Sequence, residues 1–146
     1  MPQNTENLTR PLTQLTDSSG STSWSYDEQG RLLSRQQAMG TVSKSVGHAY
    51  DAGGHLQTLT LPSGNTVTYS YANGKVTSLT LNGATTLLRS VLYHPFGPTT
   101  GWTWGNSTLA VRDYDLDGKI TLTDSAGLKT HSYDDAFRIT GITGGD

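Results

Sequence analysis

The acidic run Asp113-Tyr114-Asp115-Leu116-Asp117-Gly118-Lys119-Ile120, with Asp124 at the twelfth position counted from Asp113, comes nearest to a spacing that does chemistry. Carboxylates at positions 1, 3, 5 and 12 with glycine at 6 match the oxygen-ligand spacing of an EF-hand calcium loop. An EF-hand also needs a helix on each side. Here Ser107-Thr108-Leu109-Ala110-Val111-Arg112 and Leu128-Lys129-Thr130 read as strands, and aspartate stands where a bidentate glutamate is usual. The four histidines, His48, His55, His94 and His131, show neither HxH nor HxxxH spacing. No metal or other cofactor is expected.

Covalent and acid-base catalysis fare no better. There is no Gly-x-Ser-x-Gly elbow, and adjacent acids such as Asp134-Asp135 are normally solvated turn residues, not a buried acid-base pair. The chain is therefore expected not to be an enzyme. Trp102 and Trp104 lie two apart, on one face of a strand, and are the candidates for stacking a carbohydrate ring. The competing expectation is that such a face supplies the core of a chain only 33% hydrophobic.

Any such site must be carried by strands. Seventeen glycines, two methionines, and threonine and serine throughout favour short strands and tight turns over long helices. At 146 residues there is room for one domain with a real, if lean, core. A net charge of −2 offers no basic surface for nucleic acid or an anionic membrane. No apolar stretch could cross a bilayer, and the first residues lack a Sec-type signal pattern. Without cysteine, neither disulfides nor thiolate metal sites exist.

The organising feature is a repeat. Tyr26-Asp27-Glu28-Gln29-Gly30-Arg31-Leu32, Tyr50-Asp51-Ala52-Gly53-Gly54-His55-Leu56 and Tyr114-Asp115-Leu116-Asp117-Gly118-Lys119-Ile120 share Tyr-Asp-x-x-Gly-basic-aliphatic. Three further copies are degenerate. Tyr133-Asp134-Asp135-Ala136-Phe137-Arg138-Ile139 has Phe137 in place of glycine, Tyr71-Ala72-Asn73-Gly74-Lys75-Val76 is one residue shorter, and Tyr93-His94-Pro95-Phe96-Gly97 keeps Tyr and Gly. Successive repeat tyrosines lie 24, 21, 22, 21 and 19 residues apart. Asp115 and Gly118 of the calcium-like run are thus already required by the repeat.

Each copy reads as a hairpin. Glycine at the tip reaches positive φ cheaply and the Asx side chain bonds the local backbone. Strands such as Lys75-Val76-Thr77-Ser78-Leu79-Thr80-Leu81 follow, and second turns at Pro62-Ser63-Gly64-Asn65, Asn82-Gly83 and Asp124-Ser125-Ala126-Gly127 return the chain. Residues two before each tyrosine share its face, as in Trp24/Tyr26, His48/Tyr50 and His131/Tyr133. If hairpins add in register, the tyrosines form a ladder that fixes the pairing.

Tyr-Asp-x-x-Gly-Arg-Leu at this spacing resembles the YD repeats of bacterial Rhs proteins, wall-associated proteins and teneurins, over about residues 24 to 142. Pro95-Phe96-Gly97 and Gly101-Trp102-Thr103-Trp104-Gly105-Asn106 also look like stretches of Rhs cores. The resemblance implies an all-β fold of tandem antiparallel β-hairpin repeats in a continuous curved or wound sheet, a slice of a shell that can enclose a toxin. It also implies an extracellular or cell-surface setting. Residues 1–23 would be a polar arm or a degenerate repeat, and 24–146 an array of about six hairpins. The expected partners are the remainder of a larger YD shell or further copies of the chain, joined through open sheet edges. A carbohydrate- or protein-binding surface module is the alternative, and a fragment of a toxin-delivery protein a third.

Overall fold

The computed structural model describes residues 11–125 and 127–144; the residues before Pro11, and Ala126 of the expected turn, lie outside them. The described residues form thirteen strands, in two units bounded as Met1–Thr66 and Val67–Asp146. Within each unit the strands follow chain order.

The first unit holds β1 (Gln14–Asp17), β2 (Gly20–Tyr26), β3 (Leu32–Met39), β4 (Val42–Tyr50) and β5 (Leu56–Thr60), each antiparallel to the next. β1 lies inside the segment assigned to an arm or a degenerate repeat, and β2 crosses the boundary drawn at residues 23 and 24. Cross-strand partners sort the side chains by size. One face carries Trp24↔Arg35, Tyr26↔Leu32, His48↔Leu59 and Tyr50↔Leu56; the other carries Ser25↔Ser34, Ser34↔Gly47, Gly47↔Thr60 and Ala49↔Thr58. Hydroxyls bond along the second face, Ser25 Oγ to Ser34 Oγ at 2.6 Å and Gln36 Nε2 to Ser43 Oγ at 2.9 Å.

The second unit holds β6 (Thr66–Ala72), β7 (Lys75–Leu81), β8 (Thr85–Tyr93), β9 (Thr99–Trp104), β10 (Leu109–Tyr114), β11 (Ile120–Asp124), β12 (Leu128–Tyr133) and β13 (Ile139–Thr143). All pairings are antiparallel. The shorter Tyr71 copy has a physical reason. Asn73 and Gly74 take φ of 52° and 74°, the left-handed pair of a two-residue hairpin turn, so Ala72 pairs directly with Lys75.

The expectation of a real core is corrected. Among the described residues Ala110 is the single buried hydrophobic residue, 3% exposed, while Leu92 and Leu109 stand 62% and 65% exposed. Composition gave enough apolar residues for a core, but one sheet buries a face only against a second layer, and each unit consists of strands paired edge to edge.

Candidate functional site: the tyrosine and loop joint

The Tyr-Asp loops share one backbone design. Asp27 N–H donates to Arg31 O at 3.0 Å and Gly30 N–H returns to Asp27 O at 3.0 Å. The same pair of bonds closes residues 51–55, 115–119 and 134–138. It also closes 61–65, 94–98 and 104–108, where the first residue is Leu61, His94 or Trp104. The fourth position is left-handed in most of these loops, with φ of 78° at Gly30, 79° at Gly118, 71° at Ser107 and 63° at Phe137.

In the four Tyr-Asp loops the aspartate is the hub. Asp27 Oδ1 accepts Gln29 N–H at 3.0 Å and Arg31 N–H at 2.8 Å, while Oδ2 accepts Arg31 Nε at 2.6 Å. Asp134 repeats this with Ala136 N–H, Arg138 N–H and Arg138 Nε. In the other two copies Asp115 Oδ2 faces Lys119 Nζ at 3.2 Å and Asp51 Oδ2 faces His55 Nδ1 at 3.1 Å. Desolvation is the largest single influence on Asp27 and Asp115 and opposes ionisation. The backbone N–H bonds and the facing cation together outweigh it and hold both carboxyls below their ordinary range. At Asp51 and Asp134 the backbone N–H of His55 and of Arg138 leads, with the same net direction. Lys119 is raised by its hydrogen bond to Asp115, aided by the Asp115 and Asp117 charges.

The repeat tyrosine reaches back to the preceding copy. Tyr50 Oη donates to Leu32 O at 2.9 Å, Tyr93 Oη to Val76 O at 2.8 Å, Tyr114 Oη to Thr99 O at 2.9 Å and Tyr133 Oη to Ile120 O at 2.9 Å. Tyr26 Oη donates to Leu12 O at 3.1 Å, so residue 12 stands where the aliphatic position of a preceding copy would be. The basic residue of the preceding loop lies over the same ring. Arg31 Cζ is 4.5 Å from the Tyr50 centroid, Lys75 Nζ 4.8 Å from Tyr93 and Lys119 Nζ 5.8 Å from Tyr133. In the degenerate loop His94 meets Tyr114 edge-on at 5.9 Å. The tyrosine ladder thus runs through the loops, with Tyr50, Tyr93, Tyr114 and Tyr133 each held by the copy before it.

A β-bulge marks every repeat tyrosine. The register shifts at Ser25/Tyr26, Ala49/Tyr50, Ser70/Tyr71, Leu92/Tyr93, Asp113/Tyr114 and Ser132/Tyr133. In each case one residue of the following strand, such as Leu33 or Thr121, has no opposite number. A bulge adds local twist and aims the next side chain, here the tyrosine whose hydroxyl must find a carbonyl.

The other candidates fall apart as sites. Asp115 and Asp117 share Lys119, whose Nζ lies 3.2 and 3.6 Å from them, whereas Asp113 and Asp124 sit in paired strands β10 and β11. Among the described residues no group of three or more histidine or acidic side chains is placed to hold a metal. Trp102 and Trp104 do come together, edge to face at 5.4 Å and 85°, with Arg112 Cζ 4.8 Å above Trp102. Trp104 Nε1 donates to Ser125 Oγ at 2.9 Å, while the Trp102 indole N–H and His48 Nδ1 are buried without a partner. His131 Nε2 meets Thr123 Oγ1 at 3.2 Å. Sequence reasoning placed a turn at Pro62-Ser63-Gly64-Asn65 without its likeness to the Tyr-Asp loops, and missed the 104–108 loop, because neither carries Tyr-Asp. It also missed the carbonyls of Leu32, Val76, Thr99 and Ile120, since a backbone acceptor carries no residue signature.

The comparisons agree with this geometry. The chain matches the family described as RHS Repeat over residues 10–42 and 50–86. No curated protein sequence matches it. Among solved structures it is similar to a TcdB2-TccC3 crystal structure without the hypervariable C-terminal region, at 19% identity and TM-score 0.72, over 88% of this chain and 8% of that one. It is also similar to a Photorhabdus luminescens Tc holotoxin pore carrying a TccC3 mutation, at 19% identity and TM-score 0.72, over 90% and 8%. The chain spans less than a tenth of either, and at this identity the likeness is one of fold. The loop bonds and tyrosine staples continue past residue 86, through 94–98, 115–119 and 134–138. Residues 10–42 and 50–86 are matched as Rhs repeats, and the same joint recurs along the rest of the described chain.

Proposed function

We propose that this chain is a wall segment of an Rhs-type β-sheet shell, structural and not catalytic, whose partner is further YD sheet. The observation that carries the reading is the near absence of a core. Ala110 alone is buried among the hydrophobic residues described, so the apolar side chains of the tyrosine face need a covering that neither unit supplies for itself. The solved structures it resembles belong to toxin complexes, which supports a place in an extracellular delivery protein.

The edge at β13 states what the partner must present. Loop 134–138 has the same bonds as the others, yet the Arg138 side chain is 79% exposed, against 34% for Arg31 and 22% for Lys119, which lie over a tyrosine. Ile139, whose counterparts Leu32 and Ile120 accept a tyrosine, is 57% exposed, and Tyr133 is the last tyrosine of the sequence. A YD strand laid against β13 would supply the ring and the hydroxyl. β1, Gln14–Asp17, carries no tyrosine, which favours a further YD strand over the end of a second copy as the occupant.

Appending a second copy of residues 127–144 to the chain tests this. The melting temperature is expected to rise and amide exchange in β13 to slow, with part of both gains lost when the appended tyrosine becomes phenylalanine. Unchanged exchange in β13 would remove the reading. Light scattering of the unextended chain over a concentration series measures self-association through the open edges separately.

A further inference from the structure

Three residues past the aliphatic position of a copy, the strand turns an apolar side chain to the tyrosine face: Leu59 after Leu56, Leu79 after Val76 and Ile142 after Ile139. After Leu32 that place belongs to Arg35, which lies opposite Trp24 on β2 and Val46 on β4. Gln37, the next residue of β3 on this face, lies opposite Lys44, so Arg35 and Lys44 stand on a diagonal of the same face. Diagonal neighbours are about 7–8 Å apart, within reach of long side chains. Like charges so placed repel.

Nothing among the described residues answers this pair of charges. Each cation of the loops 27–31, 51–55, 115–119 and 134–138 has its aspartate, whereas neither Arg35 nor Lys44 has an ion-pair partner. Asp17, Asp27 and Asp51 of the same unit are engaged elsewhere, with Ser19, Arg31 and His55. The two cations open on a recess of about 180 Å³, with Gln37 beside them and Val46 and Pro62 completing its wall. Gln37 Nε2 reaches Met39 Sδ at 4.0 Å, which leaves one of its two hydrogens for a ligand.

The recess is smaller than the roughly 300 Å³ at which sites for whole small molecules begin. With a water filling about 30 Å³, it holds one compact ion and a few waters. A carboxylate would be saturated by the Arg35 guanidinium fork alone, since both of its oxygens would be taken. A tetrahedral oxyanion has further oxygens for the Lys44 ammonium and the Gln37 amide, and a second negative charge for the second cation.

We propose that this recess binds a phosphate group, held by Arg35, Lys44 and Gln37. The proposal is independent of the wall-segment reading, since it needs only the first unit folded.

The test is titration of the full chain with inorganic phosphate and with glycerol 3-phosphate, at an ionic strength held constant with sodium chloride, followed by amide chemical shifts and melting temperature. Saturable shifts centred on Arg35, Gln37, Lys44 and Val46 are expected at millimolar phosphate, with a rise in melting temperature from binding to the folded chain. Saturation by glycerol 3-phosphate as well identifies a phosphate borne on a larger molecule, and saturation by inorganic phosphate alone a free ion; either supports the site. Arg35→Leu restores the apolar residue of other copies, so it should fold as the parent does while binding at least about tenfold more weakly, the effect of one lost charged hydrogen bond. Lys44→Gln should weaken binding as well. Arg35→Lys, which keeps the charge and loses the fork, should fall between the parent and Arg35→Leu. The proposal is overturned if neither ligand gives saturable shifts in the folded chain, if the shifts centre elsewhere, or if Arg35→Leu and Lys44→Gln both bind as the parent does.

Discussion

The hydroxyl of Tyr50 donates to the backbone carbonyl of Leu32 at 2.9 Å, across 18 residues of chain, and the Arg31 guanidinium lies 4.5 Å over the same ring. One side chain thereby holds two successive hairpins by two independent means. Tyr50→Phe removes the first and keeps the second. We expect it to destabilise by about 0.5–1.5 kcal/mol in urea denaturation, the range for a single lost hydrogen bond, and Tyr50→Ala by clearly more. Equal losses in the two variants would assign the whole effect to the hydroxyl.

Asp27 separates charge from hydrogen bonding in the loop. Asp27→Asn keeps an acceptor for the Gln29 and Arg31 N–H groups but loses the charged pairing with Arg31, whereas Asp27→Ala loses both. Thermal melts are expected to rank wild type above Asn and Asn above Ala, with salt narrowing the gap between wild type and Asn.

Acid should act on all four loops together. Asp27, Asp51, Asp115 and Asp134 are each held below the ordinary 3.8. Their contribution is full above that unfolded-state value and is lost as pH falls through the lowered folded-state values. Lys119 is raised above 10.5, so its contribution persists below that and disappears as pH climbs past it. Denaturant midpoints measured from pH 7 to pH 2 should drop below about pH 4, and Asp115→Asn should flatten part of that drop.

Phe137 stands where other copies have glycine, at φ 63°. A side chain in the left-handed region costs about 1–2 kcal/mol, against which Lys119 Nζ lies 4.4 Å from the Phe137 ring. An exposed cation contact of that kind contributes about 0.5–1 kcal/mol. Phe137→Gly is therefore expected to raise the melting temperature slightly. A drop would mean that the ring contributes more than the backbone strain.

Gly105→Ala probes the close approach of loop and strand. With its new carbon 1.9 Å from Thr86 O, backbone must move, and a loss of about 1–3 kcal/mol is expected from such overpacking. Gly30→Ala meets no atom within 4 Å and should show only the cost of its positive φ.

Much of this was legible in the sequence because the repeat writes its turn chemistry in residue types. The strand Lys75–Leu81 matches the residues that patterning assigned, and Leu128-Lys129-Thr130, read as strand, opens β12. Other parts left no such trace. The 61–65 turn, expected as a turn, and the 104–108 loop use the same backbone bonds as the Tyr-Asp loops with Leu61 or Trp104 in front, a likeness that only geometry reveals. The missing core escaped notice for another reason: hydrophobic content says how much apolar surface exists, not whether a second layer covers it. The calcium-like spacing, set aside because its flanks read as strands, is divided in the structure: Asp113 sits in β10 at the bulge and Asp115 serves its own loop.

The bulge and the staple together set where these hairpins tolerate changes of length. From tyrosine to the following acceptor residue the chain takes six steps in copies such as Tyr26–Leu32 and Tyr114–Ile120. From acceptor to next tyrosine the separation runs from 13 to 18 residues. Length variation is thus largest toward the far tips, such as Gly40-Thr41 and Asn82-Gly83, while the near ends vary by one residue, in the Tyr71 copy. Foreign peptides grafted at the far tips would leave every joint in place, which makes such an array a natural carrier for displayed loops.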